Sequence, residues 1–458
     1  MKPYKTYLQS KLEDAAPSGF EPYHLNTMLF DWQKEITKWS IKKGRCALFE
    51  DCGLGKTPQQ LVWAENVCKH TDKPVLILAP LAVSAQTKRE GIKFGIKVNI
   101  CKDQSDVKPG INISNYERLD KFNPSVFEGI VLDESSILKN FTGKIRNQII
   151  ELFRATPYKL ACTATPSPND FTELGNTAEF LGIMTRSEML SMFFINDTSD
   201  TGTWRLKGHV KDNIFWDWLC SWAIMIRKPS DIGYPDGDFI LPELNMIPVV
   251  IPFEMPKNSF SFLPTMAKTL NEVRQAMRDS LPERIKYTAN IVNKSDEQFL
   301  IWCNLNMESE ALTKSINGAI EVKGADNQDH KESSMLKFAD GKIETLVTKP
   351  KIGGLGMNWQ NCHNMAFVGL SHSYEQFYQA IRRCWRFGQK YPVNAYIITG
   401  EKEGNVIKNI RRKEKNANKM YAGMFNQITN FMEDKPYCRN EYLPKITMQI
   451  PTFLKGEK

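Results

Sequence analysis

The sequence predicts an α/β chain built as two parallel sheets in tandem, with a helical segment inserted in the first. Three observations carry this expectation. Short apolar runs without polar alternation recur along the chain, as strands covered on both faces require. Helical patterns separate these runs, in two successive series. The first series opens on a glycine-rich turn that joins a strand to a helix.

Residues 1–28 are mixed in polarity and are expected to be a partly ordered lead-in. Residues 29–40 are apolar at helical spacing and contain Gln33, whose amide donates and accepts at once and so could read an adenine edge. A short apolar strand at 46–49 runs into G-L-G-K-T at 53–57, and a helical pattern follows at 59–67. Gly53 and Gly55 let backbone N–H groups approach phosphate oxygens, and the helix N-terminus adds its dipole. Lys56 is placed for the β- and γ-phosphates of a nucleotide triphosphate, and the Thr57 hydroxyl for Mg²⁺. The strict phosphate-loop pattern has glycine at position 50, where this chain has Glu50. Taken alone, the stretch also reads as an ordinary glycine turn before a helix.

The runs V-L-I-L-A-P at 75–80, N-I-S-N-Y-E at 112–117, G-I-V-L-D-E-S-S at 129–136 and K-L-A-C-T-A-T-P at 159–166 read as further strands of the first sheet. Asp133 and Glu134 close the third of these, at the strand end where a metal and a water would be met. Residues 171–230 read mostly as helix, with Phe215, Trp218 and Trp222 as a core-facing aromatic stripe. Residues 234–242, rich in Gly, Pro and Asp, read as a junction, and P-V-V-I-P at 248–252 as a strand entering the second half. Strands at 298–304, 344–348, 364–370 and 393–399 form the second series, with G-G-L-G-M-N-W at 353–359 and Y-Q-A-I-R-R-C-W-R-F-G-Q at 378–389 between them. Arg383 and Arg386, three apart, share a helix face. A basic helix follows the last strand and reads either as a solvated face or as a DNA-tracking one. The expected organisation is a first unit at 1–245 that includes the mostly helical stretch 171–230, a linker and helical segment at 246–290, a second unit at 291–425 and a tail at 426–458; the resemblance given below implies that the first is the ATP-binding lobe and 171–230 its insertion.

Composition narrows the class. The chain has 458 residues, 41% hydrophobic and 24% charged, and a net charge of +8. This is ordinary for a globular protein, and the mild basicity permits an anionic partner without requiring one. Ten scattered cysteines, none in a C-x-x-C pair, and six scattered histidines argue against a zinc site or a disulfide framework and fit a reducing cytosol. The first residues lack the apolar core of a secretory signal, and no uncharged apolar run is long enough to span a bilayer.

The motif set D-C-G-L-G-K-T, L-D-E-S-S, T-A-T-P-S-P-N-D-F-T-E-L, G-G-L-G-M-N and Q-A-I-R-R-C-W-R-F-G-Q, in this order, resembles helicase superfamily two, and within it the Swi/Snf-type double-stranded DNA translocases. The resemblance runs from about residue 29 to about residue 415. It implies two RecA-like lobes with ATP and Mg²⁺ in the cleft between them, and a helical protrusion after the third motif. Residue by residue, it implies that Gln33, Gly53, Gly55, Lys56, Thr57 and Gly356 bind ATP. Thr57 and Asp133 would serve the metal, and Glu134 would orient the attacking water. Arg383 and Arg386 would reach across the cleft, Arg386 as the arginine finger. Thr163, Thr165 and Gln379 would couple hydrolysis to movement. Pro80, Asn115 and Tyr116 of the first lobe, and Thr348, Lys349, Gly354 and Asn358 of the second, would contact duplex DNA.

Two departures stand out. Ser135 and Ser136 follow the two acids where the family usually has a small residue and then His. Gly369 and His372-Ser373-Tyr374 stand where it usually has Asp and then Trp-Asn-Pro. The compact form resembles phage or bacterial members, which implies a cytoplasmic protein whose partners are duplex DNA and other replication, recombination or repair proteins, with no membrane. A strand-separating DNA or RNA helicase is the alternative within the superfamily. A nucleotide-gated DNA-binding or recruiting protein is the alternative of another class.

Overall fold

The computed structural model describes residues 19–80, 83–140, 142–197, 203–208, 214–252, 275, 277–353, 357–401 and 404–432. The first sheet contains β1 (Arg45–Glu50), β2 (Val75–Ala79), β3 (Val98–Ile100), β4 (Ile111–Asn115), β5 (Gly129–Asp133) and β6 (Tyr158–Cys162). A two-stranded antiparallel hairpin, β7 (Phe194–Asp197) with β8 (Thr203–Leu206), stands apart from it. The seventh strand of the sheet is β9 (Ala223–Ile226), and the order is β3-β4-β2-β5-β6-β1-β9, parallel throughout. The second sheet contains β10 (Leu244–Ile251), β11 (Phe299–Trp302), β12 (Ile320–Val322), β13 (Thr345–Thr348), β14 (Asn364–Phe367) and β15 (Val393–Gly400). Its order is β10-β15-β14-β11-β13-β12, again all parallel.

Strands β1, β2, β5, β6, β11, β13 and β14 are buried almost without break, which is why they read as continuous apolar runs. Each sheet carries a hydrophobic cluster on both faces. Helices α1 (Asp31–Lys43), α2 (Lys56–Thr71) and α3 (Ser84–Lys93) belong to the first lobe, as does α4 (Lys144–Leu152). Within 171–230 lie α5 (Leu174–Leu181), α6 (Arg186–Phe193) and α7 (Ile214–Cys220). The second lobe has α8 (Leu281–Val292), α9 (Asn306–Ser315), α10 (Gln328–Ala339) and α11 (Tyr374–Ile381), and the described chain ends in α12 (Gly404–Met432).

Two expectations need correction. Residues 171–230 are not helical throughout: they contain the β7–β8 hairpin, and β9 joins the first sheet beside β1, with Ala47 opposite Ala223. The aromatic spacing runs past the end of α7, so Trp222 reads as helical although it leads into a strand. Phe215, Trp216 and Trp222 are core residues, and Trp218 packs against that core. In 246–290, expected as a linker and helical segment, the helical segment is present as α8, and the start of the stretch belongs to the second sheet rather than to a linker. Strand β10 pairs along its whole length with β15, and α8 packs with the second lobe's core. Residues 253–274 and 276, like the tail from 433 on, lie outside the described residues.

Helix α12 joins the lobes. Val406 and Ile410 at its start are buried in the second lobe's core, whereas Met420 and Met424 are buried in the first lobe's core with Trp216 and Cys220. Gly423 lies against Trp216 so closely that a Cβ would come within 2.4 Å of the indole. Arg227 covers the Tyr421 ring at 4.2 Å and donates to Asn418, and Tyr421 donates to Asp231 at 2.6 Å. The basic stretch expected to be solvated or DNA-tracking is therefore part of a helix with a buried face.

Candidate functional site between the lobes

Strands β5, β6 and β1 are neighbours, so their C-terminal ends deliver three segments side by side. Strand β1 leads into the glycine loop, β5 into Asp133-Glu134 and β6 into Thr163–Thr165. Gly53 and Gly55 have φ of +90° and +79°, conformations that L side chains rarely adopt. Space is a second constraint: a Cβ at Gly55 would sit 2.4 Å from Gln33 Nε2, and one at Gly53 would sit 3.2 Å from Phe387 N.

Gln33 is buried, donates to Leu54 O at 2.8 Å and accepts from Phe30 N at 3.0 Å, so it pins the loop to the start of α1. Lys56 opens α2, and its ammonium donates to Glu50 O and Asp51 O at 2.8 and 3.1 Å. Burial would pull its pKa down, but Cys52, Glu134, Glu50 and Asp51 outweigh this and raise it. Thr57 is half-buried in the first turn of α2. Gln60, four residues beyond Lys56 and so on the same helix face, donates to Asp133 Oδ1 at 2.8 Å. Asp133 is buried, and that burial raises its pKa. Glu50 is fully buried at the end of β1 and accepts from Gln59 Nε2 at 2.8 Å; burial pushes its carboxyl up to about 7.

Glu134 has φ +55° and ψ +55°, the left-handed region, in a residue that is not glycine. This turn leaves its Oε2 accepting from Thr163 Oγ1 at 3.4 Å and from Gln379 Nε2 of the second lobe at 3.3 Å. Burial, then the neighbouring Asp133 charge, raise its pKa to about 7. Thr163 Oγ1 also accepts from Thr165 N at 3.1 Å. The Thr165 hydroxyl has no hydrogen-bond partner among the described residues and lines an interlobe cavity of about 30 Å³, room for a water, with Asp51, Tyr374 and Tyr378.

Arg383 and Arg386 both donate to Met357 O, at 3.1 and 3.3 Å, and so face the glycine motif of their own lobe. Burial and Arg383 lower the pKa of Arg386 to about 10. Gly354 and Gly356 lie outside the described residues.

The residues expected at DNA divide. Asn358 is exposed, Pro80 and Lys349 are half-buried, and Lys349 donates to Asn306. The side chains of Tyr116 and Thr348 point away from solvent. Both are buried, with Tyr116 donating to Asp133 O at 2.7 Å and Thr348 to Val322 O at 2.8 Å. Each is at a strand end whose hydroxyl completes the sheet's own hydrogen bonding. Asn115 is also buried.

The departures have structural counterparts. A Cβ at Gly369 would come within 2.4 Å of the Glu308 carboxylate, which is fully buried against Arg284 and accepts from Asn304 N and Leu305 N. Glycine is thus what this packing admits. The 372–374 segment is engaged: Ser373 accepts from Gln376 N, the Tyr374 ring lies tilted 5.6 Å from that of Tyr378, and Lys413 of α12 donates to His372 O and to Asn169 of the first lobe. Ser135 and Ser136 are buried, and the Ser135 hydroxyl has no partner among the described residues.

Sequence reasoning missed Gln60, Asp51, Tyr378 and Arg382. The i, i+4 spacing from Lys56 was a usable signal for Gln60. For Asp51 the signal was an acid in a buried loop, which needs a cation or donors nearby.

A family model described as the helicase conserved C-terminal domain matches residues 283–388. The chromatin remodeling factor mit1 of Schizosaccharomyces pombe is 22% identical over 446 residues, covering 80% of this chain and 31% of that protein. The SWI/SNF-related matrix-associated actin-dependent regulator of chromatin subfamily A-like protein 1 of Bos taurus is 20% identical, covering 82% and 42%; that of Xenopus tropicalis is 21% identical, covering 82% and 43%. The chain therefore spans less than half the length of these relatives. Among solved structures, the Sulfolobus solfataricus SWI2/SNF2 ATPase core in complex with dsDNA is 17% identical, with coverage of 91% of this chain and 97% of that one and a TM-score of 0.42.

Proposed function

We propose that this helicase-like chain, similar to the Swi/Snf type of helicase superfamily two, is an ATP-dependent translocase on double-stranded DNA. Hydrolysis in the interlobe cleft would drive movement along the duplex or remodelling of DNA-bound complexes. The observation that carries the reading is the hydrogen bond from Gln379 to Glu134 across the cleft. It ties the residue placed to orient water to the helix that leads to Arg383 and Arg386.

The residues fit the chemistry asked of them. Lys56 keeps its charge, and the Glu50 and Asp51 carbonyls on which it rests stand in for phosphate oxygens. Thr57 and Asp133 offer the hard oxygen donors that Mg²⁺ takes beside phosphates, with Gln60 orienting the carboxylate. The metal would neutralise charge developing on the transferred group. Glu134 orients the attacking water, and its strained backbone holds the carboxylate toward the cleft. Arg383 and Arg386 exchange the Met357 carbonyl for phosphate oxygens when ATP is present, and Arg386 supplies the finger. Binding and rate separate here, because the arginines act on the transition state. Duplex contacts to phosphate by Lys349, Asn358, Gly354 and the backbone near Pro80 and Asn115 would let the motor step over any sequence. The same reading puts the protein in the cytoplasm of a bacterial or phage-infected cell, beside other replication, recombination or repair proteins.

The test is ATP hydrolysis with duplex DNA, single-stranded DNA or RNA, run beside triplex-displacement and forked-duplex assays. Duplex should stimulate most, with little sequence preference, and a triplex strand should be displaced. Several phosphate contacts imply that DNA affinity drops by about an order of magnitude or more between low and physiological salt. Equal stimulation by single strands, with fork opening and no triplex displacement, would replace this reading with a strand-separating helicase. ATP binding that gates DNA affinity without turnover would replace it with a recruiting protein.

A further inference from the structure

The two arginines that the motif singles out, Arg383 and Arg386, bond within their own lobe. A third, Arg382, reaches the phosphate loop itself. Its Nη2 lies 2.8 Å from Asp51 Oδ2 and donates to Cys52 O at 2.6 Å. Tyr378, one turn earlier, donates to Asp51 Oδ1, and the Cys52 N–H donates to the same oxygen at 2.6 Å. The Asp51 carboxylate is therefore held by three donors, two of them from the other lobe. Side-chain exposure is only 4% at Arg382 and 10% at Asp51. The Arg382 guanidinium carbon lies over the Trp385 ring, 4.9 Å from its centroid. Close by, Gly53 faces Arg386 and Phe387.

We propose that Arg382 is a positioning residue for hydrolysis: through Asp51 it fastens the phosphate loop to the segment carrying Arg383 and Arg386, and so sets where those guanidinia meet the γ-phosphate. The proposal rests on the nucleotide reading of the cleft. An unpaired Asp51 would repel a triphosphate from inside its own loop. Paired with Arg382 it is neutralised and becomes a hook. Arg382 commits its Nη2 to this hook, so its role differs from that of a finger on the transferred phosphate. Misplacing the arginines by about an ångström is enough for a loss on the order of 100-fold in rate.

The experiment measures kcat and KM for ATP with saturating duplex DNA, in the wild type, Arg382→Ala, Arg382→Lys, Asp51→Asn and the Asp51→Asn/Arg382→Ala double variant. Arg382→Ala should lower kcat by about 10- to 100-fold and raise KM, because Asp51 is left charged and unpaired. The double variant should recover KM but not kcat. Its kcat loss should be no larger than that of either single variant, because both cut one link. Arg382→Lys should recover part of the kcat. Amide hydrogen exchange without nucleotide should speed up in Arg382→Ala on both sides of the cleft, over 51–57 and over 378–387. If Arg382→Ala does not fold, Tyr378→Phe takes its place, with a smaller fall in kcat at nearly constant KM.

An unchanged kcat, kcat losses that multiply in the double variant, or faster exchange confined to one lobe would overturn the proposal. A wild type that hydrolyses no ATP would instead overturn the functional reading. The two-sided exchange change would still support the fastening in that case, and its absence would overturn it.

Discussion

Glu134 holds a left-handed backbone conformation, and that strain can be separated from its chemistry. Replace it by alanine and by glycine. Both variants lose the carboxylate and the bonds from Thr163 and Gln379, so their difference isolates the backbone. The left-handed region costs an L side chain about 1–2 kcal/mol. Glycine escapes this but loses about 0.5–1 kcal/mol relative to alanine through its freer unfolded chain. The midpoints of these two ranges favour Glu134→Gly over Glu134→Ala by about 0.7 kcal/mol, whereas at an ordinary backbone position the sign is reversed. Urea unfolding followed by tryptophan fluorescence reads this difference in the midpoint at constant slope. An alanine variant as stable as the glycine variant, or more so, would refute the strain argument. Neither variant should hydrolyse ATP.

Lys56→Ala should abolish ATP turnover, while Glu134→Gln should retain ATP unhydrolysed in a filter-binding assay; near-normal turnover in the latter removes Glu134 as the water-orienting group. Arg386→Ala should keep ATP binding and lose roughly three to five decades of turnover; a matching loss of binding would point to a structural role. The rate should rise with pH through about 7, because burial and Asp133 hold Glu134 protonated below that point; a profile flat from pH 6 to 8 would contradict this. Glu50 is likewise raised to about 7, so its native form keeps a proton that the unfolded form gives up from about pH 4.5. Its ionisation destabilises the fold as pH rises across that window, by up to about 3 kcal/mol. Glu50→Gln should accordingly gain stability over the wild type at pH 8 and little at pH 5, and a pH-independent difference in urea midpoints would refute it.

The fold was legible where strands are buried on both faces. The runs that became β1, β2, β5 and β6 have no polar alternation and were unmistakable in the sequence. The three-residue strands β3 and β12 are too short to show a pattern, and β9 was hidden behind an aromatic helix whose spacing overran its end. Of the site, Lys56, Asp133 and Glu134 could be placed because loop chemistry follows strand ends. Which arginine meets which partner could not be read, since Arg382, Arg383 and Arg386 lie within five residues and only the packed lobes show that Arg382 faces Asp51. The burial of Tyr116 and Thr348 was equally illegible, because a hydroxyl at a strand end looks the same in sequence whether it faces solvent or a carbonyl.

Helix α12 has a consequence for how the chain is made. Met420 and Met424 complete a core whose other members, Trp216 and Cys220 among them, are synthesised some two hundred residues earlier. A nascent first lobe leaves the ribosome with that apolar face uncovered and must wait for the whole second lobe before α12 can close it. Closure over so long a loop is slow, and the uncovered face is exposed to aggregation meanwhile. A first lobe expressed alone should therefore need either the α12 segment supplied in trans or a chaperone, even though every strand of its sheet is present.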